Sequence, residues 1–169
     1  MTESTRFIQG NHPAQLLSQA EQVISPALSA QSFVRDLPKN GNFRVGVDLG
    51  TAFTVLVVLN EQGEPLIGEY QFAQVVRDGL VVDYVGAVDL LQGMKERVEA
   101  QLGRQLTHAA SGYPPGVPPV ERQATANVVE AAGFKCTGLI DEPTAANLIL
   151  GLEEGVIADI GGGTTGIAI

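Results

Sequence analysis

Two short stretches of the chain join an apolar strand to an aspartate and a glycine turn. The first is VGVDLGTA, residues 45–52, in which Asp48 precedes Gly50. The second is DIGGGTT, residues 159–165, in which Asp159 precedes three consecutive glycines. Glycine turns tightly and carries no Cβ, so backbone amides can approach an anion closely. Each stretch alone is also typical of a hairpin turn. Together they predict two loops that face each other across a cleft and bind phosphate.

Carboxylates accompany both loops. Asp48 and Asp159 could hold a hydrated Mg²⁺ between them, since this ion keeps several of its waters when proteins bind it. A third motif, DEPTAAN at residues 141–147, predicts a helix with Pro143 near its start. Glu142 could orient an attacking water there. The alternative is that Asp141 or Glu142 only caps the helix.

Composition excludes several classes of function. The 169 residues are 44% hydrophobic and carry a net charge of −9. No cluster of Lys or Arg occurs, so binding to nucleic acid or to an anionic membrane is not expected. Cys136 is the only cysteine, which excludes an internal disulfide and a thiolate zinc site, and we interpret it as a buried structural residue. The chain has no apolar run long enough to span a membrane, and we expect a cytoplasmic protein.

Hydrophobic periodicity predicts an α/β fold from residue 43 onward. The predicted element order is β-β-β-α-β-α-β, in which three antiparallel strands precede alternating helices and parallel strands. Such an order predicts a mixed sheet with helices packed on it. The helices are predicted at 84–102, at 120–133 and at 142–152 with Pro143 near its start, and a final strand, glycine turn and strand occupy 156–169.

The N-terminal segment follows a different pattern. Residues 11–34 place apolar side chains on one stripe of a predicted helix, with Asn11 as the N-cap and a kink or restart near Pro26. A turn-rich linker follows at 37–42. We expect either a separable helix that docks on a partner, as an encapsulation signal would, or a helix that packs on its own domain.

The motifs VGVDLGT, DEPTAAN and DIGGGTTG, in this order, resemble the first phosphate, first connecting and second phosphate motifs of the actin and DnaK-type chaperone ATPase superfamily. Within that superfamily, residues 43–169 are similar to bacterial actin-like proteins. They are more similar to chaperone-like proteins encoded with bacterial ethanolamine microcompartments. The resemblance implies a ribonuclease H-like first core subdomain with a mixed five-stranded sheet, followed by the first hairpin of the second subdomain.

The same resemblance implies roles for individual residues. Asp48 and Asp159 would hold Mg²⁺ through water, and Glu142 would polarise the hydrolytic water; these three are the implied catalytic residues. The residues around the phosphates of ATP would be Gly50, Thr51, Ala52, Gly161, Gly162, Gly163, Thr164 and Thr165. Three departures put fast hydrolysis in doubt. This chain has Ala52 where DnaK-type chaperones have a threonine, and Gly166 where they have an acidic residue. It also lacks the lysine with which those chaperones contact a phosphate in this subdomain.

The resemblance also implies a division of the chain. Residues 1–42 would be the N-terminal helix and linker, residues 43–152 the first core subdomain, and residues 153–169 the start of the second. No adenosine pocket is recognisable, so we expect a piece of a longer protein that binds Mg·ATP weakly or not at all and does not hydrolyse it. We also expect self-association through residues 143–169, whose apolar side chains would lack cover.

Two functions of the whole protein stay open at this point. The first is a chaperone-like assembly or reactivation factor with slow ATPase activity, whose partners are ethanolamine-degradation enzymes or compartment shell proteins. The second is an actin-like structural or scaffolding protein of the compartment without significant ATPase activity. In a third interpretation the fold serves only as an interaction module.

Overall fold

The computed structural model of this chain describes residues 12–26 and 41–169. Four helices occur in this part of the chain: α1 (Pro13–Val23), α2 (Tyr84–Leu102), α3 (Pro119–Ala131) and α4 (Glu142–Leu150). The strands are β1 (Ile24–Pro26), β2 (Arg44–Leu49), β3 (Phe53–Leu59), β4 (Pro65–Phe72), β5 (Val76–Arg77), β6 (Leu80–Val81), β7 (His108–Tyr113), β8 (Lys135–Asp141), β9 (Ile157–Ile160) and β10 (Thr165–Ala168).

The main sheet has the strand order β1-β4-β3-β2-β7-β8. Strands β4, β3 and β2 pair antiparallel, whereas β2, β7 and β8 pair parallel. The predicted mixed sheet of five strands is therefore confirmed, and β1 adds a short sixth strand at its edge. Short turns allow the antiparallel pairs, and the helices α2 and α3 provide the crossovers that parallel neighbours require.

The hydrophobic core lies between this sheet and the helices α2 and α3. Leu56 and Val58 of β3 alternate toward it, and Leu91, Met94 and Val98 face it from α2 with helical spacing. Helix α2 ends at Gly103, which adopts the left-handed conformation (φ 65°), as its sequence predicted. The core thus fixes β2 in place, and this strand leads to the first of the two loops predicted to bind phosphate.

The N-terminal helix is shorter than predicted. Helix α1 begins after His12, whose Nδ1 accepts a hydrogen bond from Ala14 N, and ends at Val23. Residues Ile24–Pro26, predicted as helix, form β1 instead, because β4 offers an open edge and the residue before a proline disfavours helix. The predicted cap Asn11 and residues 27–34 lie outside the described residues. The buried part of the apolar stripe, Leu16 and Val23, lies on a helix that packs against β4 of the same chain.

The predicted turn around RDG is a small hairpin. Strands β5 and β6 flank Asp78 and Gly79, whose φ values are 52° and 77°. A Cβ on Gly79 would lie 2.9 Å from Pro114 Cγ, so the glycine lets this hairpin pack on the loop that follows β7. Cys136 in β8 is half-buried rather than fully buried.

Strands β9 and β10 form a separate antiparallel pair beside α4. Its outer face is apolar and open, with Ile160 79% and Ile167 60% exposed, and Leu148 and Leu150 of α4 are exposed as well. Self-association through this surface stays a prediction. Among the described residues, no helix is long and apolar enough to cross a membrane.

Candidate phosphate-binding site

The first glycine loop connects β2 to β3. Its closure is a hydrogen bond from Gly50 N to Phe53 O at 3.0 Å, and a Cβ on Gly50 would lie only 2.7 Å from that carbonyl oxygen. Asp48 lies near the end of β2, two residues before this glycine. The loop is further attached to the segment that follows β4, because Ala73 N donates to Ala52 O at 3.1 Å. The position of Asp48 therefore depends on the central strands of the sheet.

The second glycine loop connects β9 to β10 and closes in the same way. Gly161 N donates to Thr164 O at 2.9 Å, and Asp159 lies two residues before this glycine. Within residues 12–26 and 41–169, the amides of Thr51, Ala52, Gly162 and Gly163 donate to no protein acceptor. Two similar loops thus present unpaired N–H groups, which is the arrangement that binds anions.

The two loops lie directly against each other. A Cβ on Gly162 would lie 2.7 Å from Ala52 Cβ, and a Cβ on Gly163 would lie 2.6 Å from Thr51 Cγ2. Position 52, where DnaK-type chaperones have a threonine, is therefore one of the positions at which the two loops meet. The predicted apposition of the two loops is therefore present in the structure.

Packing explains why this chain has glycine at position 166, where DnaK-type chaperones have an acidic residue. Gly166 is buried in β10, and a Cβ there would lie 2.9 Å from Pro115 Cδ and 3.0 Å from Pro143 Cγ. An acidic side chain would not fit between these two prolines without a shift of the hairpin. Sequence reasoning missed the role of Pro115, which lies in the run PPGVPP at residues 114–119.

Helix α4 brings the third carboxylate to the loops. Asp141 is its N-cap, with Oδ1 accepting from Thr144 N at 3.0 Å, so Asp141 and not Glu142 caps the helix. Glu142 follows in the first turn, and its Cγ would be 3.4 Å from a Cβ on Gly112 at the end of β7. The negative charges of Asp48 and Asp159 both act on the Glu142 carboxyl.

Two of the three carboxyl groups, those of Asp48 and Glu142, have raised pKa values. Desolvation by the surrounding protein and the negative charge of Asp159 raise the pKa of Asp48 to about 6. Part of the Asp48 side chain is nevertheless exposed to water. Burial raises the pKa of Glu142 to about 7, together with the charges of Asp48 and Asp159. Asp48, Glu142 and Asp159 thus come from three distant segments and concentrate negative charge at one place. Groups with such perturbed pKa values are typical of functional sites.

This charge fits a cation that is held through water. Among the described residues, no group of three or more His, Cys, Asp or Glu side chains is arranged to ligate a metal ion directly. Two aspartates beside unpaired amides instead suit Mg²⁺, which retains most of its water ligands. The donor set is therefore compatible with the Mg²⁺ that the sequence predicted at Asp48 and Asp159.

The raised pKa values predict that stability falls as the pH rises. Between the ordinary pKa values of these groups, near 4, and their folded values of about 6 and 7, the folded chain holds protons that the unfolded chain has released. The free energy of unfolding therefore decreases as the pH rises from about 4 to about 7. Replacing Glu142 by Gln should recover about 1 kcal/mol, or about 2–4 °C in Tm, at pH 8.

Thermal melts at pH 5 and pH 8 measure this effect, with Glu130→Gln on the exposed surface of α3 as the matched control. Between pH 5 and pH 8, the Tm of the unaltered chain and the Tm of the control should each fall by more than the Tm of Glu142→Gln. An equal loss in all three proteins would contradict the electrostatic coupling of Glu142 to the two aspartates.

Comparison with known proteins places the chain in a family. The model of the Hsp70 protein family matches residues 80–169, more than half of the chain. The chain belongs to the Hsp70 protein family. The match includes α4 with Glu142 and the whole second glycine loop, so two of the three carboxylates lie in the part that defines this Hsp70 membership.

Individual relatives refine this result. The ethanolamine utilization protein EutJ of Escherichia coli K12 is 44% identical over 125 residues, which are 74% of this chain and 44% of that protein. A chaperone protein HscA homolog of Chromobacterium violaceum is 38% identical over 100 residues, which are 56% of this chain and 16% of that protein. The chain thus spans less than half the length of these relatives.

Solved structures confirm the fold. The crystal structure of EutJ from Carboxydothermus hydrogenoformans matches 94% of this chain and 57% of that chain, with a TM-score of 0.81 and 41% identity. MreB5 of Spiroplasma citri, solved with ADP, matches 78% of this chain and 49% of that chain, with a TM-score of 0.56 and 24% identity. The predicted actin and DnaK-type fold is therefore confirmed. The roles of the individual site residues stay predictions.

Proposed function

We propose that this chain forms the phosphate-binding half of a nucleotide-dependent, chaperone-like factor of ethanolamine utilisation. The observation that carries the proposal is the apposition of two glycine loops with unpaired amides beside three coupled carboxylates. The MreB5 neighbours, solved with ADP and with AMPPNP, support nucleotide as the ligand of this fold. Similarity to EutJ and to HscA homologs supports the cellular role.

The residues of the two loops and the three carboxyl groups would have different roles in this function. Amides of Thr51, Ala52, Gly162 and Gly163 would bind the phosphate oxygens of ATP, with the remaining loop residues Gly50, Gly161, Thr164 and Thr165 shaping the two turns. A Mg²⁺ held through water at Asp48 and Asp159 would neutralise charge that develops on the phosphates. Glu142, with its pKa of about 7, could accept a proton from an attacking water near neutral pH.

The experiment separates binding from hydrolysis. In a longer protein that contains this segment, Asp48→Ala and Asp159→Ala should weaken Mg-nucleotide binding at least tenfold, since each removes a carboxylate that holds the metal. Glu142→Gln should leave binding unchanged and slow hydrolysis, since it acts only on the water. Calorimetry and a phosphate-release assay measure the two quantities. An unchanged turnover rate for Glu142→Gln would remove its catalytic role.

The partner of the whole protein is a further part of this proposal. We expect co-purification with the subunits of an ethanolamine-degrading enzyme or with compartment shell proteins, in the cytoplasm or in a bacterial microcompartment. The competing role, an actin-like scaffold, predicts that the longer protein sediments only with nucleotide. Nucleotide-dependent sedimentation without enzyme co-purification would therefore favour the scaffold and contradict the chaperone-like role.

A further inference from the structure

Strands β2 and β7 of the main sheet separate at the candidate site. Among the described residues, these parallel strands pair at two positions, the second of which joins Val47 to Ser111. Strand β2 stays paired with β3 as far as Leu49, and β7 stays paired with β8 as far as Tyr113. The sheet therefore opens between β2 and β7 just after Val47 and Ser111.

This opening lies where the direction of the chain across the sheet changes. After β2 the chain continues to β3 on one side, whereas after β7 it passes through α3 to β8 on the other side. Ligands of open α/β sheets bind at such a point, outside the carboxyl ends of the strands. Asp48 follows Val47 on one flank of the opening. Gly112 follows Ser111 on the other flank, where a Cβ on Gly112 would lie 3.4 Å from Glu142 Cγ.

A buried hydroxyl group joins the two strands at the last pair before the opening. Ser111 is 2% exposed, and its Oγ donates to the backbone oxygen of Val47 at 3.0 Å. The backbone oxygen of Gly112 lies farther from Oγ, at 3.3 Å. Because a hydroxyl has one proton to donate, the nearer oxygen of Val47 receives the stronger bond. This bond is shielded from water, so water would not readily replace it if the hydroxyl were removed.

We propose that Ser111 is a positioning residue of the candidate site, whose hydroxyl fixes the separation of β2 and β7 and thereby the distance between Asp48 and Glu142. Asp48 is the next residue along β2 after Val47, so a movement of Val47 displaces it directly. Glu142 contacts β7 at Gly112, the next residue after Ser111. The role of Ser111 in ligand binding rests on the proposed function, whereas its effect on the position of Asp48 does not.

NMR relaxation of the ligand-free 169-residue chain tests the effect on Asp48 by itself. Ser111→Ala should lower the backbone order parameter of Asp48 from about 0.85, typical of rigid backbone, toward about 0.6, typical of flexible backbone, and leave that of Val58 unchanged. Thr137→Val is the matched control, because it also removes a hydroxyl that donates to a neighbouring strand, at 3.1 Å from Ala109 O. The control and Ser111→Thr, which keeps the hydroxyl, should leave the order parameter of Asp48 unchanged.

A measurement on the unaltered chain covers the case in which Ser111→Ala fails to fold. The hydroxyl proton of Ser111 should exchange with water slowly enough to be observed, and it should show a coupling across the hydrogen bond to the carbonyl carbon of Val47. A hydroxyl proton that exchanges freely with water, or that is coupled to Gly112 instead, would overturn the proposal, because the bond between the two strands would then be absent.

The same variants test the role in binding, with Mg·ATP as the titrated ligand. Where chemical denaturation shows every variant to be folded, Ser111→Ala should weaken the binding followed at the amides of Ala52 and Gly162 by about fivefold or more, and Thr137→Val should not. An unchanged affinity in Ser111→Ala, or an unchanged order parameter of Asp48, would overturn the proposal. If the unaltered chain bound no Mg·ATP, the proposed function would fail, and the order parameter of Asp48 would still decide the role of Ser111.

Discussion

Replacing Arg97 by methionine is expected to destabilise the fold by about 3 kcal/mol, the low end of the range for a buried ion pair, because the Arg97 side chain is 38% exposed. Arg97 extends from α2 to the fully buried Glu69 of β4, with Nε at 3.1 Å from both carboxylate oxygens and Nη2 at 2.6 Å from Oε1. Methionine fills similar volume but leaves the Glu69 charge buried without its partner. Chemical denaturation of the 169-residue chain measures the loss.

A double variant distinguishes two possible causes of the lost stability, which are the unpaired buried charge of Glu69 and the lost packing of the Arg97 side chain. Arg97→Met combined with Glu69→Met removes both charges and should recover most of the lost stability. Arg77→Met, the same substitution at an exposed position of β5, should change stability by less than about 0.5 kcal/mol. A double variant as unstable as Arg97→Met alone would show that side-chain packing, and not the unpaired carboxylate, causes the loss.

Replacing Gly162 by alanine should force the two glycine loops apart. The new Cβ would lie 2.7 Å from Ala52 Cβ, which is attached directly to the backbone and cannot rotate away. Overpacking of this kind costs about 1–3 kcal/mol. We expect the hairpin of β9 and β10 to shift away from the sheet, with a lower denaturation midpoint and weaker binding of phosphate ligands.

Gly161→Ala is the matched control for stability. Its Cβ would lie 3.4 Å from Thr164 O, which is an ordinary contact, so the same change of residue should cost little. Ala52→Gly added to Gly162→Ala should restore the denaturation midpoint, because it removes the opposing methyl group. If Gly161→Ala and Gly162→Ala destabilised the chain equally, the contact between the loops would not explain the effect.

The fold from residue 43 onward was predictable because its signals are local. Glycine turns after apolar strands, the helical spacing of Leu91, Met94 and Val98, and Gly103 as a helix end each act within a few residues. The predicted order of strands and helices along the chain then indicated a mixed sheet. Asp48, Glu142 and Asp159 were recognisable for the same reason, since each belongs to a short motif.

What the sequence did not reveal depends on tertiary contacts. Ile24 continues an apolar helical stripe, yet Ile24–Pro26 form a strand because the edge of β4 is open to them and Pro26 disfavours helix at the residue before it. The pairing of Glu69 with Arg97 joins residues 28 positions apart, with no local pattern to indicate it. The reason for glycine at 166 likewise lies in Pro115 and Pro143, which come from other segments.

The central claim is that the two loops and their carboxylates bind the phosphates of a Mg-nucleotide. The most direct test is an NMR titration of the isotopically labelled 169-residue chain with millimolar Mg·ATP, which detects the weak binding expected of this half of the cleft. The amide signals of Thr51, Ala52, Gly162 and Gly163 should shift with Mg·ATP, and much less in Asp159→Ala. Unchanged signals at these four amides, or shifts centred elsewhere on the chain, would contradict the account.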